Sequence, residues 1–187
     1  MRAISIVLAM PLIILSKAGI LFFRSESIFL ACGQLISLIP GKIGIYIRAA
    51  FYRFTLEYFH LANHVMFGTL ISKMKTRIGK GCVIGAYATI GLAEIGDGVG
   101  IGTKASILSG RHQHNFDDPE KGIFEREGTY SPICIGNDVL VGEQSIVMAN
   151  IGEKSILGAG SVVVKDIPDF TVAVGNPAKP VKNRRLK

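Results

Sequence analysis

His112 and His114 are the residues of this sequence whose chemistry is most distinctive, because an imidazole takes up and releases protons near neutral pH. They stand two positions apart in a polar excursion, residues 111–132, that interrupts an otherwise regular pattern. In an extended chain two such side chains point to the same side, so both could line one pocket. Either is a candidate general base, a group that removes the proton of an attacking nucleophile.

The pattern that this excursion interrupts is a repeat of six residues. A fixed period of six is typical of a parallel β-helix. Each hexad predicts one short strand and one corner, with its aliphatic side chain inside a triangular prism, and three hexads complete a coil. The sequence therefore predicts a mainly β fold of about four coils. The aliphatic positions run Ile78–Ile84–Ile90, Ile95–Ile101–Ile107, Ile135–Val141–Val147 and Ile151–Leu157–Val163.

Two segments near the C-terminus carry a resemblance to a known family. Residues 158–168 read GAGSVVVKDIP, and residues 174–179 read VGNPAK. With the repeat, they resemble the hexapeptide-repeat acyltransferases, in particular their sugar O-acetyltransferase branch, from about Phe67 to Lys182. The resemblance implies a left-handed parallel β-helix, acetyl-CoA as acyl donor, and a homotrimer with each active site between neighbouring subunits.

The resemblance also implies which histidine does the chemistry. Residues 106–114 read SILSGRHQH, and this segment resembles the family segment that ends with the catalytic histidine. Aligned without a gap, that histidine falls on His112, and His114 is the runner-up. The base would take the proton of an acceptor hydroxyl as its oxygen attacks the thioester. We expect no metal in this step.

The second half of the repeat is expected to hold the acyl donor through its main chain. Glycine lets a ligand approach the backbone closely, and Gly142, Gly158 and Gly160 all lie here. The resemblance implies that pantetheine follows these coils and bonds main-chain groups near Glu143 and Ala159. It further implies that the amide near Glu143 stabilises the oxyanion of the tetrahedral intermediate.

Lysines are the expected contacts of the nucleotide end of CoA. The resemblance places Lys165 beside that end, and Lys179 and Lys182 at positions where the family often has arginine. Lysine supplies charge there without a bidentate fork. The net charge is +7, with five cations in the last nine positions. A solvated tail or a lipid-facing patch is the alternative interpretation of this basic C-terminus.

Three cysteines, Cys32, Cys82 and Cys134, are widely spaced and form no CxxC pair. This spacing argues against a disulfide framework or a zinc site and fits a reducing compartment. The positive charge alone would suit nucleic acid, but no recognition motif accompanies it, so we expect no nucleic-acid partner.

The chain is predicted to divide at residue 62. Residues 1–62 form a hydrophobic and amphipathic helical region, and residues 63–187 form the β-helix with its excursion and basic tail. A second helix is predicted from about Glu26 to Ile39, ended by Pro40. A third carries an apolar stripe that extends from Ile43 to Leu61.

This N-terminal region predicts association with a membrane. Its first apolar run has about the 20 residues that cross a bilayer, yet Pro11, Lys17 and Gly19 interrupt it. A spanning or re-entrant segment, an in-plane or packed helix and a signal peptide remain open. We expect the cytoplasmic face of a bacterial inner membrane.

The leading hypothesis is an acetyl-CoA-dependent O-acetyltransferase acting on a sugar hydroxyl of a lipid-linked precursor of a surface polysaccharide. An N-acyltransferase for an amino sugar or amino acid is the runner-up. A non-catalytic β-helix scaffold at the membrane stays open, as does metal-dependent hydration, which would need three converging histidines.

Overall fold

The structure is a computed structural model that describes residues 2–111, 113, 120, 122, 125 and 128–185. This part of the chain contains three helices followed by short strands wound into a solenoid. The helices are α1 (Arg2–Phe23), α2 (Ser27–Ser37) and α3 (Gly41–Thr55). They form a bundle against the first coil, which we call the helical collar.

The strands are β1 (Tyr58–Phe59), β2 (His64–Val65), β3 (Leu70–Ile71), β4 (Arg77–Ile78), β5 (Val83–Ile84), β6 (Thr89–Ile90), β7 (Ala93–Ile95), β8 (Gly100–Ile101), β9 (Ser106–Ile107), β10 (Ile133–Ile135), β11 (Leu140–Val141), β12 (Ile146–Val147), β13 (Ile156–Leu157), β14 (Val162–Val163), β15 (Thr171–Val174) and β16 (Lys179–Asn183). Sheet A has the order β1-β4-β7-β10, sheet B the order β16-β15-β13-β11-β8-β5-β2, and sheet C the order β14-β12-β9-β6-β3. All pairings are parallel except that of β15 with β16. The predicted β-helix is confirmed.

The hexad pattern sets the inside of the prism. Ile78, Ile84 and Ile90 belong to sheets A, B and C and are at most 1% exposed. Each stacks on its equivalent in the next coil, as Ile78 pairs in register with Ile95. Burying such a side chain contributes about 1.5–3 kcal/mol, so the repeated column supplies much of the stability of the fold.

The β-helix is longer than the sequence analysis predicted. Phe59, Val65 and Ile71 form a complete coil before Ile78, which raises the number to five, and Ile167 begins a partial sixth. The third helix, whose stripe was predicted to reach Leu61, ends at Thr55. The apolar side chains after Thr55 follow the six-residue spacing and enter the prism instead.

Aromatic packing closes the N-terminal end of the prism. The rings of Phe29 and Phe51 stack with centroids 5.7 Å apart, and Tyr52 packs edge-on at 5.4 Å from Phe51. The Tyr52 hydroxyl accepts a hydrogen bond from the Ile71 amide at 3.3 Å. Burial raises the pKa of Tyr52 to about 12. The hydroxyl therefore stays neutral at the working pH. It lies at the contact between the collar and the first coil.

Arg48, on α3, connects the C-terminal end of α2 with strand β2 of the first coil. Its side chain is fully buried, and Nε donates to the Val65 carbonyl of β2 at 2.8 Å. Nη1 lies 3.1, 3.3 and 2.7 Å from the carbonyl oxygens of Ile36, Ser37 and Ile39. A helix leaves its last carbonyls unpaired and its dipole favours a cation there. Arg48 therefore satisfies the C-terminal end of α2.

The burial of Arg48 also has a cost. It lowers the pKa of the guanidinium, and Nη2 has no hydrogen-bond partner within the described part of the chain. An arginine keeps its proton in proteins all the same. The four carbonyl contacts must therefore offset the loss of hydration of a full charge.

We predict that Arg48→Met lowers the free energy of unfolding by about 3–5 kcal/mol, because four carbonyl groups at the contact between collar and coil lose a charged donor. Urea denaturation followed by circular dichroism measures this. The matched control is Arg53→Met, on the exposed side of the same helix, where the change is expected to stay within about 0.5 kcal/mol. Equal losses in both variants would contradict the role of Arg48.

Candidate functional site

The predicted donor-binding residues follow two neighbouring strands of sheet B. Gly142 and Glu143 come directly after β11, and Ala159 and Gly160 come after β13, where each coil turns from sheet B to sheet C. Gly160 N donates to the Glu143 carbonyl at 2.7 Å. The structure therefore brings these four residues together at one corner of the prism, which we call the B/C corner.

The three glycines of this corner differ in the space around them. A Cβ at Gly142 would lie 2.5 Å from the Ala159 nitrogen, so stacking of the coils requires this glycine. Gly158 is similarly blocked by the side chain of Val174 at 2.7 Å. Gly160 has a φ of +69° and open space around its Cα. Of the three glycines that were expected to admit a ligand, only Gly160 faces open space.

Two main-chain donors are free at the B/C corner. The amide groups of Glu143 and Ala159 donate to no carbonyl among the residues that the structure describes, and both residues are exposed. Neighbouring amides of the corner, such as that of Gln144, bond the adjacent coil at 2.9 Å. A linear amide-bearing ligand could therefore run parallel to the prism axis here.

The predicted lysine contacts lie in two different places. Lys179 begins β16 and pairs with Val174, so it continues the B/C corner by one coil. Lys182 pairs with Val172 on sheet B. Lys165 follows β14, at the edge where sheet C leads into sheet A, and is separated from the corner by the width of sheet C.

The basic C-terminus packs against the last coil as far as it is described. Strand β16 pairs with β15, and the guanidinium carbon of Arg185 lies 3.7 Å from the centre of the Phe170 ring. The Arg184 amide donates to the Phe170 carbonyl at 2.6 Å. Residues 179–185 are therefore not a frayed tail, although all of them are exposed to solvent.

His112 and His114 lie outside the described residues, but the two ends of the excursion are described. Arg111 donates through Nη1 to the Val164 carbonyl at 2.8 Å, and so fastens the start of the excursion beside Lys165. At the other end, the Ser131 amide donates to the Ser109 carbonyl at 3.0 Å. Both ends are thus attached to the β-helix at the edge of sheet C.

A groove of about 1190 Å³ runs between α2 and the outer face of sheet C. We call it the collar groove. Its floor comes from β3, β6 and β9 and includes the hydroxyl groups of Thr89 and Ser106, 3.0 Å apart. The beginning of α2 forms one wall, while Gln113 and Tyr130, from the two ends of the excursion, border the groove elsewhere. The predicted base and its runner-up are the chain neighbours of Gln113.

Charged residues of the collar groove were missed by the sequence analysis. Lys73 lies 3.4 Å from a carboxylate oxygen of Glu26 and stands 4.7 Å from the centre of the Tyr130 ring. Glu26 also accepts a hydrogen bond from the Met74 amide at 2.9 Å. Arg24 and Lys75 line the same groove. No local signal marked these residues, because the collar and the first coil meet only in the folded chain.

Neither Cys82 nor Cys134 shows a sign of activation. Burial raises the pKa of the Cys82 thiol. Burial, followed by the nearby carboxylates of Glu94 and Asp166, raises the pKa of Cys134. A reactive thiolate needs a lowered pKa. Among the described residues no cluster of histidine, cysteine or acidic side chains could hold a metal ion, and the two excursion histidines lie outside that set.

Comparison with known proteins gives the class of the β-helix. The profile of the hexapeptide repeat of succinyl-transferase matches residues 75–109 and 132–165. A putative acetyltransferase of Schizosaccharomyces pombe is 38% identical over 98 residues, which cover 51% of this chain and 45% of that protein. A probable acetyltransferase of Mycobacterium tuberculosis is 37% identical over 121 residues, which cover 64% of this chain and 39% of that protein. The chain thus spans less than half the length of these relatives.

Solved structures share the fold. A maltose O-acetyltransferase from Clostridium difficile superposes with a TM-score of 0.71 at 24% identity, covering 83% of this chain and 84% of that chain. A hexapeptide-repeat acetyltransferase from Vibrio cholerae gives 0.63 at 23% identity, covering 83% and 90%. The repeat and the coil geometry agree, and the β-helix of this chain is similar to those of the hexapeptide-repeat acetyltransferases.

Proposed function

We propose that this protein is an acetyl-CoA-dependent O-acetyltransferase that acylates a sugar hydroxyl, with His112 as general base. The observation that carries the proposal is the course of the family match, which stops at residue 109 and resumes at residue 132. The interruption is the excursion that holds His112 and His114. The fold is that of the family, and the chain inserts its candidate base between two matching halves.

The proposed reaction is a single acyl transfer. His112 takes the proton from the acceptor hydroxyl while the oxygen attacks the thioester carbonyl carbon. The carbonyl oxygen becomes an oxyanion, for which the free Glu143 amide is the proposed donor. The carbon–sulfur bond then breaks, and CoA leaves as a thiolate that recovers the proton from His112. If His114 is the base, the same steps apply.

The B/C corner supports the choice of donor. Glu143 and Ala159 offer free amides, and Gly160 leaves the backbone open for the pantetheine arm. Lys179 adds positive charge one coil further, where a CoA phosphate would lie. Lys165, across sheet C, is proposed to meet the nucleotide end from the other side.

Transfer to nitrogen is the second candidate. An N-acyltransferase from Bacillus cereus, solved with dTDP and coenzyme A, superposes with a TM-score of 0.54 at 24% identity. Such a likeness shows only a common fold, which serves both acceptor atoms. A hydroxyl needs a base throughout, whereas an amine is already nucleophilic once neutral. The effect of removing the base therefore distinguishes the two acceptors.

We further propose that the collar docks on the cytoplasmic face of an inner membrane. Ile4–Phe23 is long and apolar enough to cross a bilayer by length and composition. One stripe of α1 is buried and includes Ala9, Ile13 and Gly19, while Val7 and Phe22 are 70% and 75% exposed. An exposed side this apolar needs a cover, and lipid provides one.

The packing of α1 favours an in-plane helix over a spanning one. A Cβ at Gly19 would lie 2.8 Å from the Ile28 Cβ of α2, so the two helices approach closely at this glycine. Gly19, which interrupts the apolar run in the sequence, thus has a packing reason. A helix held to α2 and α3 along one stripe is suited to lie on the membrane with its other side in the lipid.

The outer face of sheet B is the proposed contact between subunits of a homotrimer. Its outward residues include Val83 and Leu140, 43% and 51% exposed, with Ile156 and Val172 beside them. The outward residues of sheet A include charged ones such as Glu94. A flat apolar β face needs covering, and in a closed trimer the neighbouring copies would supply it.

Replacing His112 tests the enzymatic proposal. In detergent with acetyl-CoA and a panel of soluble and lipid-linked sugars, CoA release is expected to depend on an acceptor. It should fall by about 10²–10⁴ in His112→Ala, because the transition state loses its base. His114→Ala is expected to lose less, and His60→Ala serves as control in the first coil. If acceptor-dependent CoA release is unchanged in both His112→Ala and His114→Ala, the proposal of a hydroxyl acceptor is wrong.

Membrane docking is tested by flotation with vesicles that contain anionic lipid. Phe22→Ser with Phe23→Ser is expected to weaken binding by about tenfold or more, because two largely exposed aromatic side chains leave the lipid. The matched control Val181→Ser changes an exposed apolar residue of β16 and should leave binding unaltered. A wild type that stays with the soluble fraction would refute docking.

The trimer is tested by sedimentation velocity in detergent. The wild type is expected to sediment as three chains, and Leu140→Glu as one, because three buried carboxylates would face an apolar interface. Glu94→Gln on sheet A should leave the assembly intact. A monomeric wild type would exclude sheet B as an interface.

A further inference from the structure

The collar groove is built from parts that the β-helix alone does not possess. Its wall is the start of α2, its floor is sheet C of the first three coils, and its volume of about 1190 Å³ exceeds that of an ordinary small-molecule pocket. Gln113, the chain neighbour of the proposed base, borders the groove. The groove therefore connects the membrane-facing collar with the segment proposed to do the chemistry.

The charge of the groove is positive. Three cations, Arg24, Lys73 and Lys75, line it against one carboxylate, Glu26. Glu26 is already engaged by Lys73 at 3.4 Å and by the Met74 amide. Within the described part of the chain, neither Arg24 nor Lys75 has an ion-pair partner. Two full positive charges are thus available to an anion in the groove.

The backbone at Arg24 is strained, as it is at six other non-glycine residues in the described part of the chain. Its φ is +49°, in the left-handed region that glycine adopts freely and arginine does not. The Arg24 amide donates to the Ile20 carbonyl at 3.0 Å, which ends α1 and turns the chain toward α2. Glycine would adopt this φ without strain, whereas arginine adds a cation to the lining of the groove.

Arg24 also follows directly on the three most exposed large apolar residues in the described part of the chain. Leu21, Phe22 and Phe23 are 76%, 75% and 71% exposed. If these three enter the lipid, the next residue lies at the level of the headgroups, where phosphate groups are found. The groove then opens at the surface of the membrane, beside the point of insertion.

We infer that the collar groove binds the phosphate of a membrane-anchored glycosyl phosphate through Arg24 and Lys75, and so receives the acceptor from the bilayer. The inference rests on the proposed function and specifies its acceptor. Arginine and lysine supply charge-assisted hydrogen bonds to phosphate oxygens. The hydroxyl groups of Thr89 and Ser106 on the floor match a sugar that extends from the phosphate toward Gln113.

The test measures binding and needs no turnover. Wild-type protein is floated at 0.15 M salt with phosphatidylcholine vesicles that contain either polyprenyl phosphate or phosphatidylglycerol at equal surface charge. We expect at least tenfold tighter binding to polyprenyl phosphate. Arg24→Gln with Lys75→Gln is expected to abolish this preference. Arg53→Gln with Lys80→Gln removes an arginine and a lysine outside the groove and should retain it.

A second variant separates binding from folding. Arg24→Gly relieves the left-handed strain, so its urea midpoint is expected to rise while its preference for polyprenyl phosphate is lost. An arginine with a purely structural role would give a lower midpoint instead. If both double variants lose the preference for polyprenyl phosphate, or if the wild type shows no such preference, the protein is attracted to anions only in general. Either result would overturn the inference.

The source of the phosphate is decided by competition. Millimolar glucose 1-phosphate should displace the protein from polyprenyl phosphate vesicles only weakly, because it lacks the lipid anchor. Full displacement would assign the groove to a soluble phosphate and overturn the membrane-anchored acceptor. If CoA release depends on His112 but the vesicle assay shows no preference for polyprenyl phosphate, the proposed function stands and this inference fails. If the preference is found but no acyl transfer is detected, the groove binds the phosphate and the proposed function fails.

Discussion

At each of its two ends, a stack of β coils exposes the apolar interior of the terminal coil and the unpaired backbone groups of its strands unless another element covers them. In this chain α3 covers the first rung, and Arg48 fixes it there by reaching both the end of α2 and the Val65 carbonyl of β2. The position of α2 depends on this buried side chain together with the aromatic cluster, and α1 packs along both α2 and α3. The collar groove depends on that attachment.

One consequence concerns the shape of sheet C. Because Arg48 and the aromatic cluster hold α2 beside the first coils, the outer surface of sheet C becomes the floor of a groove. Arg111 and Ser131 attach the excursion to the same sheet. The proposed donor corner lies along one edge of sheet C, and the excursion starts from the other. The outer face of sheet C therefore lies between the proposed donor corner and the start of the excursion.

A second consequence concerns the surfaces that the chain leaves uncovered. The collar exposes the outer side of α1, and the prism exposes Val83 and Leu140 on sheet B. These two apolar surfaces belong to different elements and call for different covers. Lipid suits a helix whose exposed side has no regular polar pattern, whereas a flat strand face suits neighbouring copies of the chain. The proposed membrane docking and the proposed trimer therefore do not compete for one surface.

The sequence by itself determined the β-helix, because a six-residue period of aliphatic side chains has one efficient way to be buried. It did not reveal the coil at Phe59, Val65 and Ile71, since its polar followers and a preceding helical stripe hid the spacing. It grouped Gly142 with Gly160, although the structure gives the first to coil stacking and only the second to open space. The chain order of His112 and His114 was readable, but their placement lies outside the described residues. The collar groove was decided by tertiary structure alone, because Arg24 and Lys75 are distant in the chain and come together only when Arg48 docks the helices on the coil.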